Sequence, residues 1–577
     1  MRVLLILLAV CFSTTASPNF DRCLQEVQQG LHGDSGGRDN NGKPVDVAHA
    51  TALTYTLCVK ACGGEQEPFD WSVFSTQFAS WLLPWLSLVS QLPFGAYNKR
   101  KNLESVVLAL GSPTLAAYSL SLTVLNGHWI DRRLRRLHWT SIPYATKVLS
   151  NLQHAPVLVD SGDGLLSSLV SLPQNNAWWK DLAAHLNYTE TWSLSAATSV
   201  IWVILAYLFT VVDSVSGNNI TASVNANGQG VGDLWLWLLP VVIGWLQLSP
   251  KSDMVKLRES VKKANEHAYV YVNNSIKEAK SVTRRRAISL QWKSCDPLQQ
   301  DEQCTVPIYN YSRYLRWVRA ANKVSTAFDM ASQRLPPNGP SLVSEGKSTR
   351  PDLNVYELVE IGPPTHTLES TSEVSNCGQT TDEDLHNLSV WNHQTIGRML
   401  YASILALFLQ WGTTGAAIVV VVRTPTRGLG CRSASYVLYG VLSTFVWILL
   451  VSSSILADFA LHADYTMLTE QDSRRRIGLR RRLSTFTRRL GKSIAYFNAV
   501  WVILTCVFQF SNFYDRCYCN SSIFAWHGEA YAVIQFTQSD ISSTRLAWIG
   551  GVILAGSSAG IFTFVLTMLM DKKVVPE

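Results

Sequence analysis

The chain has 577 residues, long enough for several domains, with 47% hydrophobic and only 16% charged. An apolar excess gathered into runs argues against a disordered chain or a soluble globule and points to a membrane protein. The formal net charge is +7, but the basic residues stand beside apolar runs. An anionic inner leaflet therefore accounts for them, and nucleic acid is not expected as a partner.

The first 17 residues read as a signal peptide: Arg2, an apolar run, then a small-residue cleavage region ending in Ala16-Ser17. Residues 18–70 are polar, contain Cys23, Cys58 and Cys62, and predict a small extracellular cap with a helix over 48–62. Eight apolar runs follow, at 71–92, 103–125, 192–212, 234–248, 396–422, 436–456, 494–513 and 546–570. Roughly twenty apolar residues cross the hydrocarbon core as a helix. The fold class expected is all-α, a polytopic transmembrane helical bundle.

Orientation follows from the basic residues nearest the span ends. The stretch 474–492 carries Arg474, Arg475, Arg476, Arg480, Arg481, Arg482, Arg488, Arg489 and Lys492, and is read as cytosolic. Loops 126–191 and 249–395 and the tail 571–577 then share its side. A cleaved signal places the N-terminus outside, which requires an odd number of crossings between 71 and 125. Two apolar runs lie there. Gly111-Ser112-Pro113 interrupts the second, and proline breaks helical hydrogen bonding, so 103–125 can be re-entrant; alternatively 71–92 lies in the interface. Seven spans are preferred, with eight as the alternative.

External Asn-X-Ser/Thr triplets begin at Asn219 and Asn520, the candidate glycosylation sites; a glycan on Asn310 would require the inverse orientation. The external cysteines are Cys23, Cys58, Cys62, Cys431, Cys517 and Cys519, an even set with its pairing open. Within 249–395, residues 252–292 carry a helical charge pattern. Val318, Ala321, Val324, Phe328 and Ala331 recur at three- and four-residue steps, an amphipathic helix. Residues 336–390 have the composition of disorder. The segment 250–395 could bind a cytosolic protein.

Catalytic signatures fail on context. Gly556-Ser557-Ser558-Ala559-Gly560 spells a nucleophile elbow but sits in an apolar run, where Gly556 and Gly560 read as a helix-packing face. Gly228, Gly230 and Gly232 read as a flexible turn. Gly346-Lys347-Ser348 lacks the rest of a phosphate loop. No metal or cofactor set is expected; Asp458 and His462 read as a solvated span end. Charges are nearly absent from the span middles. Gln410, Asn498 and Gln509 read as interhelical hydrogen bonders. Leu479, Leu483, Phe486 and Leu490 at steps of four, three and four predict a basic helix on the membrane surface, with Ser484 as a candidate phosphorylation site.

The strings FDWSVF (69–74), SWLLPWLSLVSQLPFGA (80–96), GSPTLAAYSLSLTVLNG (111–127), NANGQGVGDLWLWLLPVVIGWLQLSP (225–250) and RGLGCRSASYVLYG (427–440) resemble a group of multi-pass membrane proteins of filamentous fungi. The resemblance covers most of the chain outside the signal and 336–390. It implies the membrane class and a fungal source, and it carries over no catalytic or ligand residues. The expected role is non-enzymatic, receptor-like or scaffolding, at the cell surface or endomembranes. A passive channel or solute facilitator is the alternative, and a lipid-acting enzyme comes last.

Overall fold

The computed structural model describes residues 18–93, 99–188, 192–216, 221–272, 275–291, 297–334, 390–466 and 471–571. The signal region, Asn219, Gly346-Lys347-Ser348 and the disorder reading fall outside them.

The fold is all-α with small sheets. In chain order, the cap holds α1 (Phe20–Gln28), β1 (Gly37–Arg38), β2 (Ala52–Thr54) and α2 (Tyr55–Cys62). Next come α3 (Trp71–Gln77) and α4 (Leu83–Val89), joined by the π-helical turn Phe78–Leu82, then α5 (Lys99–Gly111) and α6 (Pro113–Leu134). A peripheral domain contributes α7 (Ile142–Asn151), β3 (Val157–Val159), α8 (Leu165–Ser171) and α9 (Asn176–His185). The bundle resumes with α10 (Leu194–Ser216), α11 (Thr221–Trp235) and α12 (Leu238–Leu248). The domain is completed by α13 (Met254–Glu266), β4 (Tyr269–Val272), β5 (Ser275–Glu278), β6 (Ile288–Leu290) and α14 (Asn310–Arg334). Last are α15 (His393–Arg423), α16 (Cys431–Thr466), α17 (Gln471–Phe510), β7 (Tyr531–Val533) and α18 (Gln538–Asp571).

Among the described residues, six helical segments are long and apolar enough to cross a membrane: Leu194–Ser216, Gly228–Leu248, His393–Arg423, Cys431–Leu461, Arg476–Phe510 and Gln538–Met570. Their outward faces are apolar, with Trp202, Phe209, Ile404, Ile553 and Phe564 all more than half exposed. Exposed side chains of this kind, repeated around a bundle, fit a lipid solvent.

Packing distinguishes the two apolar runs between 71 and 125. Pro68 O accepts from Asn512 Nδ2 at the cap end (2.9 Å). From there the chain descends through α3 and α4, with Trp81 against Gly228 and Gly232 and Trp85 against Tyr207. At the far end Lys101 Nζ lies 3.0 Å from Cys304 Sγ of the peripheral domain. Residues 71–92 therefore run the depth of the bundle. α5 and α6 meet at 103°, and both outer ends lie against the peripheral domain, Lys101 on Cys304 and Arg133 Nε on Ser325 Oγ (2.7 Å). They form a re-entrant V, and among the described residues 71–92 make a further stretch that runs the depth of the bundle beside the six segments above.

The apex of the V lies on Ser443, Tyr439 and Asn498, each about 12–18 Å down its helix from the cap end at 1.5 Å per residue. A helix end at that depth leaves carbonyls without water. Tyr439 OH donates to Leu110 O (3.0 Å), and Asn498 Nδ2 donates to Gly111 O (2.8 Å) and Tyr439 O (3.1 Å). Ser112 caps α6, accepting from Leu115 N (3.2 Å) and donating to Ser443 O (2.8 Å), while Pro113 at the first position has no N–H to satisfy. Ser443 Oγ donates to Gln410 Oε1 (3.1 Å), and Gln410 Nε2 donates to Thr414 Oγ1 (2.8 Å). Gln410 and Asn498 are thus interhelical bonders, as read.

The peripheral domain departs from the sequence reading. The helical charge pattern of 252–292 holds only for α13. Tyr269-Val270-Tyr271-Val272 alternates, and it pairs with Ser275–Glu278 as an antiparallel hairpin. β6 pairs with β3, which joins 249–334 to 126–188 in one core. α14 is the predicted amphipathic helix, with Val318, Ala321, Val324 and Phe328 buried and Phe328 5.5 Å from the Trp179 ring. Asn310 is buried and donates to Thr123 Oγ1 (3.0 Å), so its triplet offers no room for a glycan.

The arginine stretch also differs. Residues 471–510 form one helix, about 60 Å long at 1.5 Å per residue, so 474–492 extends a span rather than lying separately on a surface. Arg474 and Arg475 belong to it, and Arg476, Arg480, Arg482 and Arg489 are exposed beside Leu479, Leu483 and Phe486, also exposed; Arg481 is half-buried. Arg488 and Lys492 are not surface groups. Lys492 Nζ binds Asp301 and Glu104, both at 2.7 Å, and Arg488 is buried, donating to Leu298 O (3.3 Å). Ser484 is 2% exposed and exchanges hydrogen bonds with Ser453 (both 2.8 Å), so no kinase reaches it in this fold. Asp458, read as solvated, pairs with Arg319 (2.7 Å).

The glycine readings change for steric reasons. Gly228, Gly230 and Gly232 are helical, not a turn: a Cβ on Gly228 would sit 2.1 Å from Trp81 Nε1, and on Gly230 3.0 Å from Val421 Cγ2. Gly556 and Gly560 meet nothing within 4 Å, so they are not the packing face. That face uses Gly412, where a Cβ would stand 2.1 Å from Ser558 Oγ.

Candidate functional site: a cavity under the cap

The cap is tied to the bundle from two sides. β2 pairs with β7, Leu53 facing Ala532, and Cys58 is bridged to Cys517 across 459 residues. A second bridge, Cys431–Cys519, fixes the start of α16 to the loop after α17. The other two candidate cysteines are not bridged. Cys23 and Cys62 are thiols buried in the cap core and hydrogen-bonded to each other. Burial pushes the Cys62 thiol far up. Its sulfur lies within 4.8 Å of those of Cys58 and Cys517, but a metal would need the bridge opened.

At the span ends, beside the β7 strand that carries the cap, lies a cavity of about 180 Å³. Gln77 of α3, Arg432 and Ser433 of α16, Gln509 of α17, and the loop residues Asp515 and Asn520 line it. Arg432 donates to Asn520 Oδ1 (3.0 Å) and Asp515 Oδ1 (2.5 Å). The amide of Asn520, a predicted glycan acceptor, is thereby held in the cavity wall. Arg432 Nε and Gln509 Oε1 are buried without partners.

Sequence reasoning missed the group beneath. One turn below Arg432, Tyr436 packs over Gly230, 3.5 Å from the place of its missing Cβ, and the Tyr436 hydroxyl is unpartnered. Three residues on from Gly230 is Asp233, fully buried. Tyr207 OH donates to Asp233 Oδ1, and Oδ2 has no hydrogen bond. Among the described residues no cation pairs with it. A carboxylate buried there needs a proton or a cation to neutralise it. The signal was present in Gly230-Val231-Gly232-Asp233, one residue before the place where the apolar run was drawn to start.

Glu67 stands at the cap side of the same network, accepting from Phe20 N (3.3 Å). Burial, then the neighbouring Asp515, pushes its carboxyl up from the ordinary glutamate value. The folded cap thus holds this proton more tightly than the unfolded chain. Its contribution is complete below the unfolded pKa and is lost as pH rises through the folded one. The cap's thermal midpoint should fall over that rise in the wild type, and Glu67→Gln should remove this part of the slope; an unchanged slope counts against it.

No protein-family model, curated protein or solved structure matches the chain. Fold and cavity together define a class: a polytopic helical membrane protein with a disulfide-tied cap over a small polar chamber.

Proposed function

We propose that the protein is a receptor-like membrane protein of the secretory pathway, with its cap outside and its peripheral domain and arginine stretch in the cytosol. It captures a small polar solute under the cap. Two disulfides suit an oxidising compartment, and the arginines suit the inner leaflet. The carrying observation is the chamber itself, solute-sized and walled by Arg432, Asp515, Asn520 and Gln509, with a donor and an acceptor left open. Buried polar atoms without partners call for water or a ligand.

The chamber joins α3, α16, α17 and β7, so its occupancy bears on the α16–α17 hairpin. At its other end that hairpin is clasped to α14 and the residues before it through Asp458–Arg319 and Lys492–Asp301. This gives a physical route for a signal between two-state elements.

A second reading, a solute facilitator, is favoured by Asp233 and by the re-entrant V, since broken helices at mid-depth recur in transporters. Thermal-shift screening of the purified chain with small amino acids, polyols and carboxylates separates the two. The receptor-like reading expects a stabilising solute whose affinity falls at least about tenfold in Arg432→Gln, a lost charged hydrogen bond, without flux into proteoliposomes. Robust flux moves the assignment to the facilitator, and no stabilising solute defeats both.

A further inference from the structure

On the peripheral domain a second cavity, about 350 Å³, opens between α13, the turn after β5 and β6. Arg258 and Lys262 stand one turn apart on α13, Lys280 follows β5, and Arg286 precedes β6; Glu266 is the single carboxylate in the lining. Val261 and Leu290 supply apolar lining and Asn265 an amide. Lys280 leans on Glu278 (3.1 Å), both about half exposed, a pair of little strength. Neither Lys262 nor Arg286 has an ion pair among the described residues. Arg286 uses Nη1 on the carbonyls of Thr283 (2.6 Å) and Arg285 (2.7 Å).

Lys262 and Arg286, brought from two elements to one concavity, repel one another unless an anion sits between them. Guanidinium forks and ammonium points together suit phosphate oxygens better than a single carboxylate. The volume exceeds that of inorganic phosphate and fits a phosphorylated ring. α13 begins at Met254, with five residues between it and the end of α12 at Leu248, so the groove belongs to the segment nearest the bundle. We infer that this groove binds a multiply phosphorylated headgroup, either carried by a membrane lipid or free in solution.

The test uses the full chain in nanodiscs. One arm titrates soluble inositol trisphosphate; the other incorporates phosphatidylinositol bisphosphate in a phosphatidylcholine bilayer and reads lipid-dependent thermal stabilisation. Saturable binding in either arm, weakened at least tenfold in the double variant Lys262→Gln/Arg286→Gln and falling with salt, is expected. Binding in both arms assigns the free headgroup as sufficient; binding in the second alone assigns the lipid. Lys147→Gln, an exposed lysine of the same domain outside the groove, should bind as wild type. The inference is overturned by no binding in either arm, or by equal weakening in Lys147→Gln. It is also overturned if the folded double variant retains wild-type affinity. A thermal midpoint matching the wild type without ligand shows that the double variant is folded.

Discussion

Gly111→Ala should abolish or severely destabilise the folded protein. A methyl at this position would lie 2.0 Å from Ala495 O and 2.7 Å from Ala495 C. Both are backbone atoms of α17, so no side-chain rotation relieves the clash. Overpacking in a close-packed interior costs about 1–3 kcal/mol, sometimes more. Here the required shift also pulls Gly111 O away from Asn498 Nδ2, leaving a buried carbonyl and amide unpaired at about 1–3 kcal/mol. The combined loss is a large part of typical stability. The measurement is the thermal midpoint in detergent and the yield of monodisperse protein. Gly556→Ala is the comparison: nothing stands within 4 Å of its missing Cβ, so its effect should stay within about 0.5 kcal/mol. Equal behaviour of the two variants would show that the V does not dock on α17 as described.

Cys58→Ser should loosen the cap. The bridge to Cys517 joins residues 459 apart in sequence, and cross-links closing long loops stabilise most in the chain-entropy account. Because the intervening chain is held in the bundle, the full random-coil value does not apply, and about 2–4 kcal/mol, the common range, is expected. What then holds the cap is mainly the short ladder of β2 on β7 and a core of Val27, Leu53, Leu57 and Ala532. The effect should be local. Hydrogen exchange should rise over 20–62 and 531–533 while the spans keep their protection. Cys23→Ser, which removes a thiol and no bridge, should leave exchange near wild type. If Cys58→Ser matched it, the bridge would contribute nothing to cap docking. Solute-induced stabilisation should weaken in Cys58→Ser alongside Arg432→Gln, because the bridge holds Cys517 between the lining residues Asp515 and Cys519.

The span-forming segments were legible because hydropathy is a local property. A run of about twenty apolar residues is recognised from its own composition, and the breaks and tryptophans lie where composition put them. α14 was legible for the same kind of reason, with a helical period written over residues 318–331. The Gly111-Ser112-Pro113 interruption announced a broken helix, yet its geometry did not follow. Whether a proline kinks a span or ends a half-helix depends on partners at the break. Those partners are Tyr439, Ser443 and Asn498, more than 300 residues away.

The candidate site was barely legible. Arg432, Asp515 and Gln77 are unremarkable letters until three chain ends meet. Asp233 was hidden because an apolar run drawn by hydropathy starts after a charge rather than at it. The glycine triplet before it looked like a turn because glycine permits turns; only Trp81 and Val421, pressed against the helix, show that absent side chains were required. Ser484 and Arg488 show the converse. A basic context near a serine reads as an exposed phosphosite, but burial is set by what faces it: Ser453 of α16 covers Ser484, and Leu298 and Asp301 hold Arg488.

By itself, then, the sequence determined the class of protein, most of the span-forming segments, the amphipathic α14 and an even set of cap-side cysteines, since each depends on residues near in sequence or on composition. Tertiary structure alone decided which run crosses and which returns, and which four of six cysteines join. It also decided that the arginine stretch splits into an exposed half and a buried, ion-paired end, and that a chamber exists under the cap. These are long-range pairings, and the energy that selects them comes from contacts between segments, which no window along the chain contains.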